Sequence, residues 1–304
     1  MMKELLERLV EKHQFKTREG KCADYIPLLA EQDPSQLGIT VVTRNRGIYK
    51  AGRFPERFTM QSISKVIALI LAIMDCGERK VFSMVGMEPT GDPFNSIYKM
   101  EIFQTQKPLN PMINAGALVV TSLIKGQTVE EKVGRMIHLI EEMTGNINIK
   151  VNEDVFRSEY ETSHRNRALA HFLKELHLID RVEETLEAYL RQCAIQITCE
   201  DLAKIGLCLA QYGKTFDNRM VVPACVSRLA KTFMVTCGMY NASGEFAIKV
   251  GIPAKSGVSG GIMASVPMRM GIGVFGPALD QKGNSIAGTA LLEDLSRQLD
   301  LSIF

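Results

Sequence analysis

Gln61-Ser-Ile-Ser-Lys-Val-Ile-Ala-Leu-Ile-Leu-Ala-Ile-Met74 sets a hydroxyl and an amine three residues apart at the mouth of an apolar helix. Residues i and i+3 of a helix share a face, so Lys65 reaches the hydroxyl of Ser62. A serine hydroxyl is a weak nucleophile until a neighbouring base takes its proton. Lysine serves as that base only when its pKa falls from about 10.4 towards 7, at a cost of about 4 kcal/mol. The nine residues Val66–Met74 are apolar on every face, the pattern of a helix buried in a core, and burial disfavours the ammonium. The first turn of that helix is the positive end of its dipole, where a neutral lysine and a developing alkoxide are both favoured.

Spacing alone is weak evidence. The same Ser-x-x-Lys pattern recurs as Ser96-Ile-Tyr-Lys99 and Ser122-Leu-Ile-Lys125, and both copies are expected at the surface. The first copy stands apart because an apolar helix follows it and because Lys255-Ser256-Gly257 precedes Val258 in a glycine-rich stretch. That second element is expected as a strand on the wall of the same cleft, although a strand merely entering a turn would read alike. Together the two elements select acyl transfer.

Composition narrows the alternatives. The chain has 304 residues, 46% hydrophobic and 23% charged, ordinary values for a globular protein with a sizeable core. A formal charge of +2 and the lack of a long basic run argue against a nucleic-acid partner. The N-terminal Met-Met-Lys-Glu-Leu-Leu-Glu-Arg stretch is charged and amphipathic, unlike a secretory signal, and no apolar run approaches the roughly 20 residues needed to span a bilayer. A cytoplasmic protein with no membrane partner is expected. Seven cysteines without a Cys-x-x-Cys pair read as reduced core residues, and no metal is expected. His138, His164, His171 and His177 read as surface or capping groups, and the 16 methionines as core filling.

The order of elements predicts an α+β architecture. Residues 3–13 form an amphipathic helix. Gly38–Thr43 and Gly47–Lys50 pair as a hairpin. Residues 80–113, rich in Pro, Gly and Asn, form loops. From 114 to about 236 the pattern is helical, with Thr128 and Thr198 as N-caps. Strands return at Phe246–Val250, Gly261–Val266 and Met270–Phe275, before a last helix over about 287–299. Early and late strands are therefore expected to share one antiparallel sheet flanked by helices, with a helical lobe inserted between them. The chain reads as a single catalytic domain over 1–304, with a sheet lobe of about 1–60 and 240–304 and a helical lobe of about 61–239.

Four segments carry a resemblance. Phe58-Thr-Met-Gln-Ser-Ile-Ser-Lys65, Asn110-Pro-Met-Ile-Asn-Ala-Gly116, Cys237-Gly-Met-Tyr240 and Pro253-Ala-Lys-Ser-Gly-Val-Ser-Gly-Gly261 resemble the serine-dependent glutaminases of the compact bacterial type. Those enzymes share a fold with serine β-lactamases and penicillin-binding proteins. The resemblance runs from about Ala23-Asp-Tyr-Ile-Pro27 to the C-terminus. It implies hydrolysis of L-glutamine to L-glutamate and ammonia, without a cofactor, by a homo-oligomer (dimer or tetramer). Ser62 would be the nucleophile, Lys65 its base and Tyr240 the donor to departing ammonia. The backbone N–H groups of Ser62 and Val258 would hold the oxyanion. Asn114, Glu159, Asn166 and Tyr189 would bind the amino-acid end, with Tyr25 closing the pocket and Gln61 at its border. Read without the resemblance, Asn114 caps a helix, Glu159 and Asn166 lie on solvated faces and Tyr189 is a core aromatic. Two alternatives stay open: a penicillin-reactive serine hydrolase on the same scaffold, and an amino-acid sensor that no longer turns over.

Overall fold

A computed structural model describes residues 1–91 and 106–304. The chain begins with α1 (Met2–His13), α2 (Pro27–Ala30), β1 (Gly38–Thr43), β2 (Ile48–Gly52), β3 (Phe58–Thr59), α3 (Ser64–Cys76) and α4 (Glu78–Met84). Its middle holds α5 (Asn114–Leu123), α6 (Val129–Thr144), β4 (Lys150–Val151), α7 (Glu153–Thr162), α8 (His164–Glu175) and α9 (Val182–Cys193). There follow β5 (Ile195–Ile197), α10 (Cys199–Ala210) and α11 (Ala224–Cys237). The last stretch contains α12 (Ser243–Lys249), β6 (Ala254–Ser256), β7 (Gly261–Val266), β8 (Met270–Phe275) and α13 (Ile286–Leu299).

The early and late strands share one antiparallel sheet, as the α+β reading expects. Its order is β2-β1-β8-β7-β6, with Val41 opposite Ile272 and Ile262 opposite Val274. Both faces are covered, so β7 and β8 are buried at every position and show no polar alternation. On one face Leu6 and Leu9 of α1 and Leu291 and Leu295 of α13 pack against Ile39, Ile262 and Val274. On the other lies α10, whose backbone approaches so closely that only glycine fits at several points. A Cβ on Gly271 would meet the Ala203 carbonyl oxygen at 1.9 Å, and one on Gly273 the Cys199 oxygen at 2.0 Å.

The apolar run after Lys65 does what its composition demands. Every residue of α3 from Ser64 to Ile73 is buried, among α5, α6 and α11. Its six large aliphatic side chains contribute on the order of 10 kcal/mol of gross burial free energy. This anchors the residues immediately before the helix.

Four sequence expectations need correction. Phe246–Val250 is not a strand: Ser243, Phe246 and Val250 are the buried positions, a helical spacing, while Ile248 is 88% exposed and Lys249 pairs with Glu245 at 2.7 Å. The third late strand is instead Ala254–Ser256. Second, Ser62 precedes the α-helix, in a 3-10 turn over Gln61–Ile63. Third, the expected loop over 80–113 begins inside α4, and its residues 92–105, with Ser96 and Lys99, lie outside the described residues. Fourth, the mostly helical middle contributes β4 and β5, which join β3 in a small sheet of order β3-β5-β4. Two- and three-residue strands carry too little periodicity to be read from sequence.

Candidate active site

The turn that carries Ser62 is strained in its backbone and held by neighbours on three sides. Gln61 has φ +49°, a left-handed conformation that costs a residue with a side chain about 1–3 kcal/mol. This twist converts β3 into the 3-10 turn that presents Ser62. Met60 N–H donates to the Ile195 carbonyl at 2.8 Å, and Ser64 Oγ donates to the Gln61 carbonyl at 2.7 Å. Behind the turn runs the loop that leaves β6. A Cβ on Gly257 would stand 2.4 Å from the Met60 carbonyl oxygen, and Ser259 Oγ donates to the Thr59 carbonyl at 2.6 Å. Glycine at 257 is therefore what lets Val258 reach the wall of the pocket beside Ser62.

Lys65 is only 1% exposed. Its Nζ donates to Asn114 Oδ1 at 2.7 Å and to the Met112 carbonyl at 3.2 Å, and sits 5.9 Å from the centroid of the Tyr189 ring. Burial lowers its pKa to about 8, against smaller upward pulls from Cys193 and the Glu159 carboxylate. A substantial fraction of the amine is thus neutral near pH 8. Asn114 is the first residue of α5, yet its side chain does not cap that helix. It turns to Lys65 and donates from Nδ2 to Asn166 Oδ1 at 2.9 Å. Lys65, Asn114 and Asn166 form one hydrogen-bonded line.

Tyr240 repeats the strain of Gln61, with φ +53° at the start of a 3-10 turn over Tyr240–Ala242. Its hydroxyl donates to the Ser256 carbonyl at 3.3 Å and is hydrogen-bonded with Ser62. Burial raises its pKa, so the phenol keeps its proton at neutral pH. Beneath the ring lies Lys255, fully buried, its Nζ 4.3 Å from the ring centroid and 2.7 Å from the Ser256 carbonyl. Burial, reinforced by Lys65, drives the Lys255 pKa well down.

The pocket in front of Ser62 brings together Tyr25, Gln61, Asn114, Glu159, Asn166, Tyr189 and Val258. Lys65 and Tyr240 stand behind Ser62 rather than on the open wall. Tyr25, 53% exposed, is at the mouth. Glu159 is not on a solvated face. It is 8% exposed and accepts from Gln61 Nε2 at 3.2 Å. Burial raises its pKa to about 7, opposed by that hydrogen bond and by Lys65. A carboxylate held so close to neutrality is poised to be ionised by an incoming ammonium.

Sequence reasoning gave no role to several residues here. Cys193 lines the pocket one helical turn beyond Tyr189 on α9, and that i, i+4 spacing was the available signal. Arg165, also on the wall, stands beside Asn166 in a stretch that reads as plain solvated polarity. Lys255 marked a motif, but its position under Tyr240 depends on β6 pairing with β7. Among the described residues no cluster of His, Cys, Asp and Glu has the arrangement of a metal site, and no helix is long and apolar enough to cross a membrane.

Comparison with known proteins places this geometry. The glutaminase family model matches residues 20–304. A glutaminase of Geobacillus thermodenitrificans is 55% identical over 304 residues, covering 99% of this chain and 98% of that one. The crystal structure of a probable glutaminase of Bacillus subtilis superposes with a TM-score of 0.94 at 46% identity, covering 99% and 97% of the two chains. A covalent complex of a Bacillus subtilis glutaminase with 5-oxo-L-norleucine, formed from 6-diazo-5-oxo-L-norleucine, gives 0.90 at 44% identity over the full length of both. The fold is accordingly β-lactamase-like. By sequence, by fold and across its length, this chain belongs to the glutaminase family.

Proposed function

We propose that the protein hydrolyses the side-chain amide of L-glutamine to L-glutamate and ammonia through an acyl-enzyme on Ser62. The observation that carries the reading is a buried Ser62–Lys65–Tyr240 group opening onto a pocket whose wall holds Glu159, Asn114 and Asn166.

Neutral Lys65 takes the Ser62 proton as Oγ attacks the amide carbon. The oxyanion that forms lies against the backbone N–H groups of Ser62 and Val258, which are fixed before the reaction begins. Tyr240, kept protonated by burial, passes its proton to the departing nitrogen and is reprotonated by the Lys65 ammonium, which returns the amine to its neutral form. Ammonia leaves and an ester on Ser62 remains. Water, deprotonated by the same groups, cleaves the ester to glutamate. Glu159 pairs with the substrate ammonium, while Asn114, Asn166, Tyr189 and Tyr25 hydrogen-bond the carboxylate end and Gln61 steadies Glu159. No step calls for a cofactor. The chain would act as one catalytic domain, with the sheet lobe and helical lobe of the sequence reading, in the cytoplasm and as a homo-oligomer.

The test is a coupled assay for glutamate released from L-glutamine by wild type and by Ser62→Ala, with L-asparagine as control. Activity lost in the variant supports the reading. A folded, inactive wild type would favour the sensor, and acylation by a penicillin would favour the other hydrolase.

A further inference from the structure

We propose that Arg165 is a specificity-determining residue of this pocket, reading the α-carboxylate of the amino-acid substrate across from Glu159. The inference rests on the glutamine reading above. Of the described side chains that line the pocket, one is a carboxylic acid, Glu159, and one a strong base, Arg165. The remainder are amides, hydroxyls, a thiol and apolar groups, which can hydrogen-bond a carboxylate but cannot distinguish it from a neutral amide by charge. A zwitterion placed against Glu159 alone would leave its carboxylate facing an uncompensated negative wall. Arg165 supplies the missing positive charge, in a planar fork suited to a carboxylate.

Its neighbours are occupied and it is not. Arg167, two residues along α8, pairs with Glu183 at 2.8 Å and lies 5.0 Å from the Tyr160 ring centroid. Arg191 on α9 pairs with Glu187 at 2.8 Å and Glu153 at 2.9 Å. The Arg165 side chain has no hydrogen bond or ion pair among the described residues, and it is exposed on the pocket wall. It is also well placed. It precedes Asn166 in the first turn of α8, and Asn166 is fixed through Asn114 to Lys65, so the guanidinium springs from backbone that is in register with the reaction centre. Other exposed arginines, such as Arg157 and Arg228, also lack a side-chain partner, and what sets Arg165 apart is its place in the lining of this pocket.

The experiment is steady-state kinetics with L-glutamine across a range of NaCl for wild type, Arg165→Gln and Arg165→Lys, alongside calorimetry of L-glutamate binding. Arg165→Gln is expected to raise KM roughly three- to twentyfold, as befits a partly exposed charged contact, and to leave kcat within about twofold. It should also flatten the rise of KM with salt, and Arg165→Lys should recover part of the loss. An unchanged KM and glutamate Kd would overturn the inference, as would a fall in kcat at constant KM. Glutamate binding keeps the two readings apart: a wild type that binds glutamate without hydrolysing glutamine sinks the reaction, while the Kd of the variants still decides the role of Arg165.

Discussion

Ser62-Ile-Ser-Lys65 and Ser122-Leu-Ile-Lys125 share a spacing and almost nothing else. The first serine sits in a strained 3-10 turn before a buried helix, and its lysine is sealed in the core with its pKa lowered to about 8. Ser122 lies near the C-terminal end of α5, its hydroxyl spent on the Val119 carbonyl at 2.7 Å. Lys125 falls beyond that helix, exposed, with its backbone N–H donating to Asp75 at 2.8 Å. Spacing brings a hydroxyl and an amine within reach; burial and the turn decide whether they react.

The sharpest contrast between the two copies is removal of each hydroxyl. Ser62→Ala should lower kcat by at least about 10⁴-fold, whereas Ser122→Ala should stay within about twofold, both read by glutamate release. Comparable losses in the two variants would dissolve the comparison. Next in size is Tyr240→Phe, expected to reduce kcat about 10²- to 10³-fold because the proton for the leaving nitrogen is gone, with KM little changed. A variant as active as wild type would move the acid elsewhere.

Glu159→Gln should raise KM for L-glutamine by about thirtyfold or more, since a buried charge partner for the ammonium is lost. Equal KM values would return Glu159 to a structural role. The smallest effect is in the pH profile. Lys65 must be neutral and Glu159 charged, and both forms appear as pH rises, past about 8 for the amine and about 7 for the carboxylate. The value of kcat/KM should therefore climb between about pH 6 and 9, with two protons lost on its acid limb. In Glu159→Gln one proton should remain, and the limb should move to lower pH because the carboxylate no longer holds the Lys65 pKa up. A profile flat over that range would contradict the neutral-lysine base.

How much of this was legible depended on whether a signal is local. The apolar run after Lys65 demanded a buried helix, and the β-branched run Gly38–Thr43 demanded a strand; both are local patterns. Phe246–Val250 misled because a short apolar run fits either element, and the deciding facts, an exposed Ile248 and the Glu245–Lys249 pair, are spatial. The site divides the same way. Ser62 and Lys65 are marked by their spacing only together with the apolar run that follows and the Lys255-Ser-Gly element, and the resemblance named Glu159, whose helix otherwise reads as polar. That Glu159 is buried against Gln61, 98 positions away, follows only from the fold. The left-handed backbone of Gln61 and Tyr240 has no sequence signature, since neither is a glycine. Lys255 is a similar case, because nothing in Lys-Ser-Gly says that the amine will lie under a tyrosine ring.

The central claim is that Ser62, and no other nucleophile, takes the acyl group. It is tested most directly by reacting the protein with 6-diazo-5-oxo-L-norleucine and locating the adduct by peptide mass spectrometry. The account predicts one adduct per chain on the peptide bearing Ser62, forming faster as pH rises towards 8 and absent from Ser62→Ala. An adduct on Cys193, or undiminished labelling of Ser62→Ala, would contradict it.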